Sequence, residues 1–369
     1  MNKTSLYIHI PFCEKKCFYC SFVVSIAQQH RIENYLRCLD CESKNDHAIS
    51  LETIYVGGGT PTLLNSLQLK NLAASIRKNF NCSTVKEFTI EANPEGIDLE
   101  KAKCIFDLGV NRISLGMQTF NDQYLKYLGR CHDARQSLMA FDTFRRAGFQ
   151  NINIDLMYSF PQQTSDQIKE DIYVLKDFRP EHVSLYTLNV EPYSRFHAQK
   201  IKPPSSDLQI EHYHLVVSEL ERLGYSQYEI SNFSIKNRES LHNQNYWRGG
   251  NYIGLGVGAH GHVDGKRTWN VSRLTEYISR IEQGLSAEEG QEILNSQMRF
   301  NEVLLFGLRM KSGVDVEELK KRFSQTFTSE QEEKIQNFIK NEFLVLEKDC
   351  LRATPAGMLV LDEISAHLI

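Results

Sequence analysis

The run Tyr7-Ile8-His9-Ile10-Pro11-Phe12-Cys13-Glu14-Lys15-Lys16-Cys17-Phe18-Tyr19-Cys20 joins a short apolar strand to three cysteines separated by three and two residues. Thiolates are the usual ligands of iron–sulfur clusters, and these gaps let one compact loop hold three corners of a [4Fe-4S] cube while the fourth iron stays open. A single zinc ion is the alternative. Structural zinc sites ordinarily take four ligands in paired spacings, and no second pair lies nearby. Because the cysteines follow a strand directly, they fall in a strand-to-helix loop, where parallel barrels build their sites.

Outward from that loop the chain alternates short apolar runs with amphipathic stretches, the signature of a parallel βα array. Strands are expected at Leu6 to Ile10, Thr53 to Val56, Glu87 to Glu91, Arg112 to Gly116, Asn151 to Met157 and Val183 to Leu188. Helices are expected at Ser66 to Asn79, Leu99 to Leu108, Ala134 to Ala147 and Thr164 to Asp177, from apolar residues at three- and four-residue spacing. The fold class is therefore α/β: a partial (β/α)6 barrel of TIM type. Residues 1–230 form the barrel, 231–289 a loop-rich binding segment containing both tryptophans, and 290–369 a small α+β unit resembling a winged helix.

Composition narrows the classes. With 42 basic and 46 acidic residues the net charge is -4, and no basic run marks the C-terminal unit, so no nucleic-acid partner is expected. Hydrophobic residues make up 41% of the 369, enough for a sizeable core. No stretch reads as a signal peptide or a membrane span, which places the chain in the cytoplasm. Nine cysteines, an odd number, suit reduced thiols better than disulfides. Cys38 and Cys41 form a second C-x2-C, but they sit in a stretch that reads as helix.

Polar residues end several of the predicted strands. Gly57-Gly58-Gly59-Thr60-Pro61-Thr62 follows the second, where missing Cβ atoms allow a close backbone approach. Glu91, Gln118 and Asp155 interrupt otherwise apolar runs at the ends of the next three, and Arg130 adds a fixed cation. Each alone could be a loop cap or a surface ion pair; three in register favour a ring of ligand contacts.

The C-x3-C-x2-C loop, with the glycine run and these strand ends, resembles the radical S-adenosylmethionine (SAM) superfamily. Within it, the chain looks like the branch that holds oxygen-independent coproporphyrinogen oxidase and the heme chaperones related to it. The resemblance implies a [4Fe-4S] cluster on Cys13, Cys17 and Cys20. It also implies SAM contacts at Tyr7, Tyr19, Gly58, Gly59, Thr60, Glu91, Gln118, Arg130 and Asp155. The oxidase pattern carries a further cysteine two residues after the third; here Phe22 stands there, and only six residues precede Tyr7. Leu241-His242-Asn243-Gln244-Asn245-Tyr246-Trp247 resembles the chaperones' His-Asn-x-x-Tyr-Trp pattern, which makes His242 the expected heme ligand. His260, in the glycine-rich run Gly254 to Gly261, is a weaker candidate. A heme chaperone is thus expected, delivering heme to an acceptor hemoprotein, with a respiratory, membrane-bound acceptor and contact with the inner membrane through that partner in view. A coproporphyrinogen oxidase and a radical enzyme for an unrelated substrate are the alternatives; oligomeric state is not legible.

Overall fold

The computed structural model describes residues 4–44 and 49–368. Six strands, β1 (Thr4–Ile10), β2 (Leu51–Gly58), β3 (Glu87–Ala92), β4 (Arg112–Gln118), β5 (Ile152–Tyr158) and β6 (His182–Thr187), pair in chain order, all parallel. β1 and β4 are buried almost end to end, as strands covered on both faces must be. The covering helices start on built caps: Asn65 and Gln68 cap Ser66–Asn79 reciprocally, and Asp133 and Gln136 do the same for Ala134–Ala147. These helices bury one apolar stripe, Leu69, Leu72 and Ile76 in the first of them.

The sheet runs past the six strands on both edges, which corrects the expectation of a loop-rich segment at 231–289. Beyond β6 lie β8 (Asn232–Ser234) and β7 (Ser226–Glu229), both antiparallel to their neighbours. Beyond β1 lies β9 (Asn251–Leu255), parallel to it, followed by the antiparallel β10 (His260–Val263), β11 (Lys266–Asn270) and β12 (Glu288–Ile293). The order β12-β11-β10-β9-β1-β2-β3-β4-β5-β6-β8-β7 is linear, so the barrel stays open. β11 and β12, Lys266-Arg267-Thr268-Trp269-Asn270 and Glu288-Glu289-Gly290-Gln291-Glu292-Ile293, lie partly in solvent and carry charges where a buried strand would be apolar.

The helix Leu241–Trp247 fills the end of the barrel where the strands begin. The amides of Leu241 and His242 donate to the Glu87 carboxylate at the start of β3, at 2.8 and 3.2 Å. The helix Ile32–Glu42, holding Cys38 and Cys41, packs between the helices Ser66–Asn79 and Leu274–Glu282. Its last residue, Glu42, accepts hydrogen bonds from the Gly256 amide (2.8 Å), the Asn270 side chain (2.5 Å) and the Tyr277 hydroxyl (2.6 Å).

The C-terminal unit has its own core, in which Phe300, Leu304, Leu319 and Leu351 are buried. Its antiparallel sheet orders Val314–Asp315, Cys350–Ala353 and Leu344–Glu347. The last two are joined by Lys348-Asp349, both at positive φ (48° and 66°), as a tight two-residue hairpin requires. Among the described residues, no helix is long and apolar enough to cross a membrane.

Glu42→Ala leaves three donors without their acceptor and should lower the free energy of unfolding by about 2–4 kcal/mol. Urea denaturation measures this; a change within about 0.5 kcal/mol would show that the clamp is not stabilising.

Candidate functional site

The six parallel strands end on one side of the barrel, and the cysteine loop closes over that side. β1 stops at Pro11, and the loop is fastened at several points. Phe12 and Cys13 pair with Ser25 and Ile26. The Phe18 amide donates to the Leu128 carbonyl, and the Phe196 amide to the Phe18 carbonyl. Gly129 (φ +76°) closes the helix Asp122–Leu128 against the Phe18 ring, which a Cβ there would meet at 2.8 Å.

The glycine run is explained by contacts within the protein. Gly58 (φ +111°) passes the His9 ring so closely that a Cβ would lie 2.5 Å from it. At Gly59 a Cβ would lie 2.7 Å from the Phe12 carbonyl oxygen. The Gly59 and Thr60 amides donate to the carbonyls of Ile10 and Phe12, each at 2.8 Å, and so fix this run beneath the cysteine loop.

Together these segments enclose a cavity of about 360 Å³, within the range of cofactor pockets, roughly 300–1,000 Å³. Cys13, Cys17 and Cys20 all line it, all as free thiols. No three His, Cys, Asp or Glu side chains among the described residues converge as one metal ion would require. Three free thiols lining one cavity suit a cluster in which each takes a different iron. Burial pushes the Cys13 thiol up to about 11 and raises Cys20 too, an effect that a bound cluster's cationic iron would reverse.

Of the residues expected to touch SAM, Tyr19, Gly58, Gly59 and Thr60 line this cavity beside the thiols, and Glu91, Gln118, Arg130 and Asp155 line its remaining walls. Tyr7 does not: its hydroxyl bonds His9 Nδ1 at 2.9 Å and its ring stacks on Tyr55. Gln118 reaches the cavity through a bulge, since Met117 is the extra residue between two register partners and Gln118 itself stands at φ +70°. Glu91 accepts from the Tyr55 hydroxyl (2.7 Å) and the Gly58 amide (3.0 Å), and burial pushes its carboxyl up to about 7. Asp155 accepts from Ser114 (3.0 Å) and Asn153 (2.8 Å), and burial raises it as well.

Arg130 is not a surface ion-pair residue. It donates to the Cys17 thiol (3.3 Å), the Asn93 side chain (2.8 Å) and the Gly116 carbonyl (2.8 Å). Burial opposes its charge, but Tyr19, Cys17 and Glu95 hold it protonated. Asn93, two residues past Glu91 in the same strand end, was not singled out from sequence; it bonds Thr60 (3.1 Å) as well as Arg130.

His242 lies elsewhere. It is 1% exposed, on the floor of the barrel, with Nδ1 bonded to the Thr53 hydroxyl and Nε2 to the Tyr246 hydroxyl, both at 2.8 Å. An axial heme ligand needs a free ring nitrogen facing a cavity. His242 has neither nitrogen free in this fold, which corrects the expectation that it faces a heme.

Residues 7–173 match the Radical SAM superfamily and residues 294–360 the HemN C-terminal domain. The chain is 35% identical to the heme chaperone HemW of Lactococcus lactis, across 96% of this chain and 94% of that one. With the Bacillus subtilis heme chaperone HemW the identity is 39%, over 88% and 86%. The chain belongs to the HemW family. Its fold is also that of the coproporphyrinogen III oxidase HemN from Escherichia coli, a radical SAM enzyme, with a TM-score of 0.88 at 23% identity, covering 100% of this chain and 90% of that one. Membership of this HemW branch of the radical SAM superfamily implies a [4Fe-4S] cluster and SAM.

Two outcomes follow. Cys17→Ala should abolish the visible iron–sulfur absorbance after anaerobic reconstitution, with far-ultraviolet circular dichroism unchanged; a full cluster in that variant would remove Cys17 from the ligand set. Glu91 carries the second. Its carboxyl holds a proton more tightly folded than unfolded, so its contribution to stability is complete below about 4.5 and is lost as pH rises to about 7. The apoprotein minus Glu91→Gln difference in unfolding free energy should therefore decline across that window, and a flat difference would contradict the shift.

Proposed function

We propose that this protein binds heme and passes it to an acceptor hemoprotein. A [4Fe-4S] cluster on Cys13, Cys17 and Cys20 and an exchangeable SAM occupy the cavity at the strands' C-terminal ends. The observation that carries this reading is the match, at 35% and 39% identity over most of both chains, to proteins named as heme chaperones. A second supports it: Phe22, 66% exposed at the cavity, stands where the resemblance places an additional cysteine in the oxidases. A bound SAM would complete the open iron through its amino and carboxylate groups.

In this reading the chain's own residues bind and orient. Gly58, Gly59 and Glu91, which line the cavity, would hold the methionine amino group, and Arg130 holds positive charge beside Cys17, where thiolates would gather. Asp155 and Gln118 supply polar contacts on the far wall, and Tyr19 screens the cavity. The residues 231–289 and the C-terminal unit carry the heme contacts. The proposed acceptors are respiratory, membrane-bound hemoproteins, which the protein would meet from the cytoplasm at the inner membrane.

The test is anaerobic reconstitution of the cluster, followed by heme and coproporphyrinogen III offered separately. Stable heme binding, transfer of that heme to an apo-hemoprotein and no decarboxylated product are expected. Turnover of coproporphyrinogen would overturn the chaperone reading in favour of the oxidase.

A further inference from the structure

A line of hydrogen bonds runs inside the barrel from its floor to the cluster cavity. It starts at Tyr228 on β7, whose hydroxyl accepts from the Ser240 amide at 3.3 Å, at the cap of the helix Leu241–Trp247. That hydroxyl lies 2.8 Å from His182 Nε2, and His182 Nδ1 lies 2.6 Å from Asn153 Oδ1. Asn153 Nδ2 in turn lies 2.8 Å from Asp155 Oδ1. His182 and Asn153 are fully buried, whereas Asp155 keeps accessible surface and lines the cavity.

The protons in this line can point only one way. An ionised carboxylate only accepts, so the amide nitrogen of Asn153 is the group that faces Asp155. The same nitrogen donates to the Ser114 hydroxyl at 2.7 Å, and Ser114 donates to Asp155 Oδ2 at 3.0 Å. The Asn153 oxygen is thereby turned to His182, and it also accepts from the Ser184 hydroxyl at 3.1 Å. His182 therefore carries its proton on Nδ1, which leaves Nε2 to accept from the Tyr228 hydroxyl. Burial, helped by Arg112, keeps that ring neutral, so it has a single proton to give.

At the end of the line each Asp155 oxygen holds one donor from the protein, Asn153 on Oδ1 and Ser114 on Oδ2. A carboxylate has about four lone-pair sites, so capacity remains for donors from the cavity. Burial opposes the charge of Asp155, and the bonds from Asn153 and Ser114 favour it. A half-turn of the Asn153 amide would set its oxygen against the carboxylate and undo this arrangement. The Nδ1 proton of His182 prevents that turn, because it requires an oxygen opposite.

We infer that His182 is a positioning residue for SAM: acting through Asn153, it fixes the Asp155 carboxylate in one orientation, from which it accepts donor groups of the bound molecule. The inference rests on the reading of Asp155 as a SAM contact and extends that contact to a residue at the start of β6.

The test is equilibrium dialysis of SAM against the full-length, anaerobically reconstituted protein and its variants, with cluster absorbance and thermal melts recorded for each. Asp155→Asn should weaken SAM binding about 10-fold or more. His182→Leu should weaken it about 3–10-fold. In an Asp155→Asn background the same change should cost nothing further, because both residues act through one contact. His182→Asn, whose amide can donate from the Nδ1 position, should bind nearly as the wild type does. His182→Gln, whose amide reaches the Nε2 position instead, should behave as His182→Leu and replaces it if the leucine variant does not fold. A merely structural role would weaken binding equally in both backgrounds and would not separate the two amides. If Asp155→Asn weakens binding but the His182 effect is the same in both backgrounds, or if His182→Asn and His182→Gln bind alike, the positioning is wrong and the SAM contact of Asp155 stands. If Asp155→Asn binds SAM as the wild type does, both fall.

Discussion

Two backbone hydrogen bonds hold the cluster site in place: the Gly59 amide to the Ile10 carbonyl and the Thr60 amide to the Phe12 carbonyl. They continue the β1–β2 ladder past the ends of both strands, so the cysteine loop is an extension of the sheet and not a free excursion. A loop without regular structure between Glu14 and Val24 would otherwise have many arrangements of its three thiols, and the conformational entropy would oppose any single one. The ladder requires a bare backbone at Gly59, where any Cβ would collide with the carbonyls it serves. Thr60 then adds a hydroxyl to the Cys13 thiol at 3.6 Å, and Asn93 links Thr60 to Arg130.

The inside of the barrel is polar for most of its height, which is unusual for a core of this size. Glu87, Arg112, Ser114, Asn153, Asp155 and His182 are all turned inward from parallel strands, with Arg112 only 2% exposed. Buried charges persist only when hydrogen-bonded or neutralised, and both devices are used. Glu87 is satisfied by backbone amides of the helix Leu241–Trp247, while burial biases Glu91 and Asp155 toward their neutral forms. The interior therefore divides into a floor where Glu87, Asn153 and His182 are hydrogen-bonded to their neighbours while the Arg112 Nε is left without a partner among the described residues, and a roof where polar groups face a cavity.

The barrel was legible because its strands are short, apolar and separated by capped, amphipathic helices, so two periodicities alternate without ambiguity. The thiols, the glycine run and the polar strand ends could be read because each interrupts an expected pattern at a strand terminus. Other features had no such signal. β11 and β12 are charged edge strands, and their pairing comes from the neighbour already in place. Asn93 looks like any residue before a proline, and its value lies in contacts 33 and 37 residues away. Tyr7 and His242 were placed by motif, which gives identity without direction; the strand pleat and the helix on the barrel floor decide where their side chains point.

The helix Leu241–Trp247 closes the end of the barrel where the strands begin. With that end held by buried hydrogen bonds, the cluster cavity lies at the opposite end, where Lys16, Ser21 and Phe22 of the cysteine loop line it and Ser21 and Phe22 are exposed. A partner seated over those residues would cover the small molecule beneath it, and exchange of the small molecule would then wait on the partner's departure.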